Sequence, residues 1–139
     1  MSNNHDAFWD DLAEDLKDPD FLRDYIVESM RIATIDRIVN ELDAARSAAG
    51  LSKAALARAI SSEPAVVRRL FSAGHVNPTL GTLAEVATAL GMRITLEPLP
   101  AGEQRTVTTP LLTGEAADRP ALTEHLRKLR TQGKTPAAA

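Results

Sequence analysis

Two adjacent arginines follow small residues in a short segment that begins with a proline. Arg68 and Arg69 come after Ala65 and Val66, and the segment starts at Pro64. An arginine guanidinium can bind guanine through a pair of hydrogen bonds, or it can neutralise a backbone phosphate. These residue types indicate DNA binding, and the alternative interpretation is an ordinary helix with a solvated basic side.

Two short helices are predicted to position these arginines. The first follows Ser52, whose hydroxyl can cap its N-terminus, and it ends at the cluster Ser61–Pro64. Because proline favours the first turn of a helix, the second helix is predicted to begin near Pro64. Its apolar side has i, i+3 and i+4 spacing and consists of Val67, Leu70 and Phe71. The pattern predicts a helix-turn-helix, whose second helix can enter the major groove.

A further helix is predicted before this pair. Residues 35–49 have apolar side chains at helical spacing, and Gly50 can end that helix in a left-handed conformation. No residue between Phe21 and Ala49 breaks a helix. One long helix from Pro19 and two shorter helices are both compatible with this sequence.

After the pair, the sequence predicts a helix and a short strand. Thr79 can cap a helix over residues 80–90. Residues 93–97 alternate between polar and apolar side chains, as a strand does. Because a lone strand leaves its backbone groups unpaired, we expect it to pair with a second copy, with Ile94 and Leu96 at the dimer interface. Pairing with the tail, or extended chain without pairing, is the alternative.

Several motifs between residues 35 and 96 have the spacing of a known family. They are Gly50-Leu51-Ser52-Lys53, Leu56-Ala57, Val67 with Leu70, Asn77-Pro78-Thr79-Leu80, Thr82-Leu83 and Ala89-Leu90-Gly91. Together they resemble the Cro/C1-type (XRE) helix-turn-helix domain. The resemblance implies that Lys53, which is often glutamine in the family, contacts a phosphate. The expected DNA-binding residues are Ser52, Lys53, Ser62, Glu63, Ala65, Val66, Arg68 and Arg69.

The sequence departs from this family at the turn. Ser61 stands where the family has a glycine, Ser62 where it has a hydrophobic residue, and Glu63 where it has a capping serine. The loop at residues 73–76 is one residue longer than usual. These departures concern the geometry of the turn and the base contacts more than the fold.

Acidic residues are concentrated at the start of the chain. Residues 1–34 contain nine acids and three bases, a net charge of −6, which leaves +3 for the rest of a chain whose total is −3. An acidic segment repels DNA, so we expect it to face a basic protein.

The acidic segment also contains most of the aromatic residues. A first predicted helix has an apolar stripe over residues 8–16, and a second begins at Asp18-Pro19. The expected partner-binding side chains are Phe8, Trp9, Leu12, Leu16, Phe21 and Tyr25. Packing on the chain's own core is an equally good interpretation. In a mixed arrangement, the second helix packs on the rest of the chain and residues 8–16 remain available to the partner.

From residue 100 the sequence becomes rich in Pro, Gly, Thr and Ala, which is typical of a flexible tail. Residues 121–130 are compatible with a short basic helix. We therefore expect an all-α fold: an acidic helical arm (1–34), a helix-turn-helix domain (35–99) and a flexible tail (100–139). The predicted domain is a compact five-helix bundle with one short C-terminal strand.

Features of enzymes, metal sites and membrane proteins are missing from the sequence. There is no cysteine, and the three histidines lie in separate segments without ligand spacing: His5, His75 and His125. No glycine-rich phosphate loop occurs. We expect no catalytic residues, no cofactor and no metal. The start lacks the pattern of a signal peptide and no apolar run could span a bilayer, so we expect a cytoplasmic protein.

Longer segments are similar to the HigA-type antitoxins of HigBA- or RelBE-like toxin–antitoxin pairs. The segments are DPDFLRDY, Ala-Ala-Gly-Leu-Ser before the helix pair, and NPTL followed by ALGMRITLEPL. The resemblance implies a homodimer that binds operator DNA and represses its own operon. It also implies neutralisation of a basic ribonuclease toxin (RelE/HigB-like) by segments outside the DNA-reading helices. The alternatives are a plain transcriptional regulator and an interaction module that no longer reads DNA.

Overall fold

The computed structural model describes residues 4–72 and 76–132, and within them all regular secondary structure is helical. Seven helices occur there: α1 (Asn4–Asp15), α2 (Pro19–Ala48), α3 (Lys53–Ala59), α4 (Pro64–Leu70), α5 (Leu80–Ala89), α6 (residues 101–113) and α7 (Arg119–Gln132). In α6, a π-helical stretch (Gln104–Thr108) lies between Ala101–Glu103 and Thr109–Thr113. The all-α prediction is confirmed, but the predicted number of helices was too low.

The chain divides into two compact units, each with its own core. The central unit is Thr34–Leu96. Among the described residues, the terminal unit combines those up to Ala33 with those from Glu97 to Gln132. Helix α2 is continuous over 30 residues, so its first part belongs to the terminal unit and its second part to the central unit.

The core of the central unit is formed by four helices. Its buried side chains come from α2, α3, α4 and α5 and are Val39, Leu42, Leu56, Ala57, Val67, Leu70, Leu83, Val86 and Ala87. The predicted apolar side of α4 is therefore confirmed. The expected inward side of α5 (Leu80, Leu83, Val86, Ala87 and Leu90) is confirmed except for Leu80, which is exposed. The predicted cap of α5 is also present, since the Thr79 hydroxyl accepts a hydrogen bond from the Thr82 amide at 3.1 Å.

The core of the terminal unit combines both ends of the described chain. Its buried side chains are Leu12, Leu16, Leu22, Ile26, Val107, Leu122 and Leu126. The prediction of a flexible tail from residue 100 was wrong for residues 101–132, because α6 and α7 supply three of these side chains.

Proline and glycine, which suggested a loose tail, instead mark helix boundaries. Pro120 lies in the first turn of α7, where a missing amide hydrogen costs little. Gly114 ends α6 in a left-handed conformation with a φ of +83°. Asp118 caps α7 by accepting a hydrogen bond from the Ala121 amide at 3.0 Å.

The predicted strand at residues 93–97 is not present. These residues have no regular secondary structure, and the described part of the chain contains no strand that could pair with them. Alternation of polar and apolar side chains is compatible with a strand, but it does not supply the hydrogen-bonding partner that a strand requires.

None of the helices in the described ranges 4–72 and 76–132 has the length and apolar character of a membrane span.

Replacement of Gly114 by alanine is expected to destabilise the terminal unit. A Cβ at this position would lie 3.1 Å from Arg23 Nη2 and 3.3 Å from Pro19 Cβ. Arg23 cannot move freely, because its guanidinium donates to the Leu111 and Leu112 carbonyls at 3.1 and 3.3 Å. We expect Gly114→Ala to lower the free energy of unfolding by about 2–3 kcal/mol. Urea denaturation followed by circular dichroism measures the change.

The matched control is Gly50→Ala. Gly50 also has a positive φ, +70°, but no atom lies within 4 Å of the position of its added Cβ. The free energy of unfolding of Gly50→Ala should fall only by the cost of placing alanine at a positive φ, about 1 kcal/mol. If the two variants lost the same free energy of unfolding, the packing of Arg23 against Gly114 would contribute nothing to the effect of Gly114→Ala.

Candidate nucleic-acid interface

Helix α3 begins at the predicted cap. The Ser52 hydroxyl accepts a hydrogen bond from the Ala55 amide at 3.0 Å, so this predicted N-cap is confirmed. Leu56 and Ala57 are buried and fix one side of the helix in the central core. Ser52 and Arg58 are exposed, and Lys53 is half-exposed.

The turn after α3 has the conformation that glycine usually provides. Ser61 has a φ of +54°, in the left-handed region. Its amide donates to the Arg58 carbonyl at 3.2 Å, and the Ser62 amide donates to the Ala57 carbonyl at 2.8 Å. This pair of hydrogen bonds is a Schellman motif, which satisfies the last carbonyls of the helix. Serine therefore forms the turn at the cost of backbone strain.

Helix α4 begins at Pro64, as predicted. Glu63 occupies the N-cap position, but its side chain makes no capping hydrogen bond. Val67 and Leu70 are buried in the central core. Phe71, which follows the helix, packs against the same core.

Arg46 supports the end of α4 from the C-terminal part of α2. Its guanidinium lies 5.7 Å from the centre of the Phe71 ring. The same group donates to Asp43 at 2.9 Å and to the Leu51 carbonyl at 2.7 Å. Arg46 is thus used within the central unit and does not belong to a free basic surface.

The side of α4 that faces away from the core is small and basic. All four residues on it are exposed: Ala65, Val66, Arg68 and Arg69. Val66 has an exposed fraction of 40% although it is apolar. Within the residues that the structure describes, no acidic side chain forms an ion pair with Lys53, Arg58, Arg68 or Arg69.

Arg58 is a candidate that the sequence reasoning missed. It belongs to α3. Like Arg68 and Arg69 of α4, it is exposed and forms no ion pair with a described residue. A signal was present: Arg58 follows Leu56-Ala57 directly and has no acid three or four residues away on either side. We name the half-exposed Lys53 and the exposed residues Arg58, Ala65, Val66, Arg68 and Arg69 the basic face.

The predicted partner-binding stripe is divided between core and surface. Leu12 and Leu16 are buried in the terminal core, so the expectation that they contact a partner was wrong for the folded chain. Helical spacing reports that a side is buried, but not whether its own chain or a partner covers it. Phe8 keeps an exposed fraction of 51% and meets Trp9 edge-on, with the ring centres 5.0 Å apart.

The other aromatic candidates are partly covered within the terminal unit. The rings of Phe21 and Tyr25 stack with their centres 5.8 Å apart, and the Arg130 guanidinium lies 4.9 Å from the centre of the Tyr25 ring. Burial raises the pKa of the Tyr25 hydroxyl. These two residues therefore serve the chain's own packing, with only part of each side chain at the surface.

The two residues predicted at a dimer interface also differ. Ile94 is half-buried against the central core, whereas Leu96 is fully exposed. The loop insertion predicted at residues 73–76 falls mainly on residues outside the described part, as do the side chains of His5 and His75. Among the described residues, no group of three or more His, Asp or Glu side chains could hold a metal ion.

Comparison with protein-family models, with curated protein sequences and with solved structures finds no match to this chain.

Replacement of Ser61 by glycine is expected to stabilise the central unit. The substitution removes the strain of a side chain at positive φ, which is roughly 1–2 kcal/mol. Part of this gain is offset, because glycine raises the conformational entropy of the unfolded chain. We expect a gain of about 1 kcal/mol in the free energy of unfolding, measured by urea denaturation.

Ser62→Gly is the matched control, because Ser61 is the only non-glycine residue with a positive φ in the described part of the chain. Ser62→Gly should lower the free energy of unfolding by a few tenths of a kcal/mol or more, because glycine at this position only raises the entropy of the unfolded state. If both variants gained stability equally, the strain assigned to Ser61 would be disproved.

Proposed function

We propose that this chain is a dimeric DNA-binding antitoxin that represses its own operon and neutralises a ribonuclease-type toxin by direct binding. The observation that carries the DNA-binding part is the basic face of α3 and α4. Segment 51–72 contains four bases and a single acid, a net charge of +3 in a chain whose total is −3. A local excess of positive charge on exposed helices is the electrostatic feature of a phosphate-binding surface.

The spacing of charges supports DNA binding over an ordinary solvated surface. In the described part of the chain, four bases outside this face follow an acid by three residues and pair with it: Lys17 with Glu14, Arg31 with Glu28, Arg46 with Asp43, and Arg127 with Glu124. No acid lies three or four residues from any base of the basic face. These guanidinium and ammonium groups are thus left without local partners, as binding to phosphate requires.

The packing of α4 supports the same proposal. Val67 and Leu70 anchor one side of the helix, so its opposite side is held in a fixed orientation. Ala65 on that opposite side is small and lets the helix backbone approach the bases. Arg68 and Arg69 then reach base edges or phosphates, which is how a recognition helix contacts the major groove.

Dimerisation remains part of the proposal through residues 93–97. Within the described residues, segment 93–97 makes no backbone hydrogen bond to another part of the chain, and Leu96 is fully exposed. Pairing with the same segment of a second copy would satisfy those groups and cover Leu96. Two recognition helices could then read half-sites about 34 Å apart, one turn of DNA.

Toxin binding is proposed for the terminal unit. The first 34 residues have a net charge of −6, which complements the basic surface of a ribonuclease. Phe8 offers an exposed aromatic side chain for the centre of such a contact. A plain transcriptional regulator without a toxin partner is the second candidate, since the basic face supports it equally well.

Simultaneous replacement of Arg68 and Arg69 by alanine is expected to abolish specific DNA binding. Each lost contact costs roughly 1–3 kcal/mol, so we expect the loss of two contacts to weaken binding to the DNA upstream of the gene by at least about 30-fold. Gel-shift titrations at several salt concentrations measure both affinity and its salt dependence.

Arg37→Ala is the matched control for this double variant. Arg37 is also an exposed arginine of the central unit without an ion pair to a described residue, but it lies outside the helix pair. It should bind DNA like the wild type. Unchanged DNA binding by the double variant, with a helical circular dichroism spectrum, would show that Arg68 and Arg69 do not contact DNA and would overturn the assignment of the basic face.

Replacement of Phe8 by alanine is expected to weaken binding to the protein encoded beside this gene, with DNA binding unchanged. Deletion of residues 1–17 is a poor test, because it would remove Leu12 and Leu16 from the terminal core. Isothermal titration calorimetry with the neighbouring protein measures the effect. We expect a loss of about tenfold, typical of an aromatic hot spot.

Leu112→Ala is the control for Phe8, because Leu112 is another exposed apolar side chain of the terminal unit. It should leave both interactions unchanged. If the wild-type chain bound DNA but did not bind the neighbouring protein, the chain would be a plain regulator.

A further inference from the structure

The two adjacent arginines of α4 do not occupy equivalent positions on the helix. We infer that Arg69 is the residue that determines specificity, by binding a guanine, whereas Arg68 binds a backbone phosphate. This assignment rests on the DNA binding proposed above and adds which base pair type is read and by which side chain.

The buried residues of α4 define the orientation of the helix. Val67 and Leu70 are buried and Phe71 is partly buried, so their mean direction points into the central core. With about 100° between successive residues, Ala65 and Arg69 point roughly 150–170° away from that direction. They are four residues apart and form one ridge along the most exposed line of the helix.

Arg68 lies on the side of this ridge. Its direction is roughly 110° from the buried side, and Val66 lies on the other side at a similar angle. When the ridge of a helix faces the floor of a groove, residues beside the ridge face the groove walls, where the phosphates are. A guanidinium on the wall neutralises charge without identifying a base.

The surroundings of Arg69 favour the reading of a base. Ala65, one turn earlier on the ridge, leaves space for α4 to approach the base edges closely. The main chain of Arg69 is held, because its carbonyl accepts a hydrogen bond from the Ser72 hydroxyl at 2.8 Å. A guanidinium on a fixed backbone can present two parallel donors to O6 and N7 of guanine, a pattern that no other base offers in the major groove.

The test is selection from a randomised duplex DNA library with the full-length chain, followed by titration of the selected duplex and its single base-pair substitutions. For Arg69→Ala we expect loss of preference at one G·C pair, by roughly 5- to 150-fold. For Arg68→Ala we expect weaker binding to all sequences alike, with a log–log salt slope lower by about 0.9. Arg68→Lys should restore that slope, because lysine also supplies a positive charge.

The outcomes separate this inference from the proposal beneath it. A relaxed base preference in Arg68→Ala, with only a changed salt slope in Arg69→Ala, would overturn the assignment while leaving DNA binding established. Loss of preference at an A·T pair in Arg69→Ala would overturn the reading of guanine. Failure of the wild-type chain to bind any duplex in the library would overturn the proposed function, and the assignment with it.

Discussion

The left-handed turn at Ser61 is the constraint on which the basic face depends. Leu56 of α3 and Val67 of α4 are buried in one core, although only a few residues connect the two helices. The connection includes one residue with a positive φ, which ends α3, and that residue is a serine. The core therefore outweighs the local strain of roughly 1–2 kcal/mol, and the direction of α4 is fixed as a consequence.

Separation of charge follows from the way the two units are built. The terminal unit contains the acidic start of the chain, while the basic face belongs to the central unit. The two cores share no residue, so an exposed substitution on one unit leaves the other core intact. The proposed DNA-binding and toxin-binding surfaces thus depend on different sets of packing contacts and can be altered one at a time.

Local signals in the sequence predicted the elements around the site correctly. Ser52 and Thr79 cap helices through their own hydroxyls, and Pro64 begins α4, because each effect acts within a few residues. The orientation of α4 was also predictable, since Val67 and Leu70 repeat at helical spacing and are buried. Such patterns do not predict which surface covers an apolar side of a helix.

The errors in the sequence reasoning share this physical origin. Leu16 was assigned to a partner, whereas α7, more than 100 residues later in the chain, supplies Leu122 and Leu126 to the same core. The apolar side of α1 does not predict that of α7, or the reverse, because the local spacing of residues does not show which distant helix will pack against them. The absence of acids near Arg68 and Arg69 is different, since ion pairs at i and i+3 are local. For that reason the lack of local acidic partners for these arginines could be predicted from the sequence, whereas the packing of the two chain ends could not.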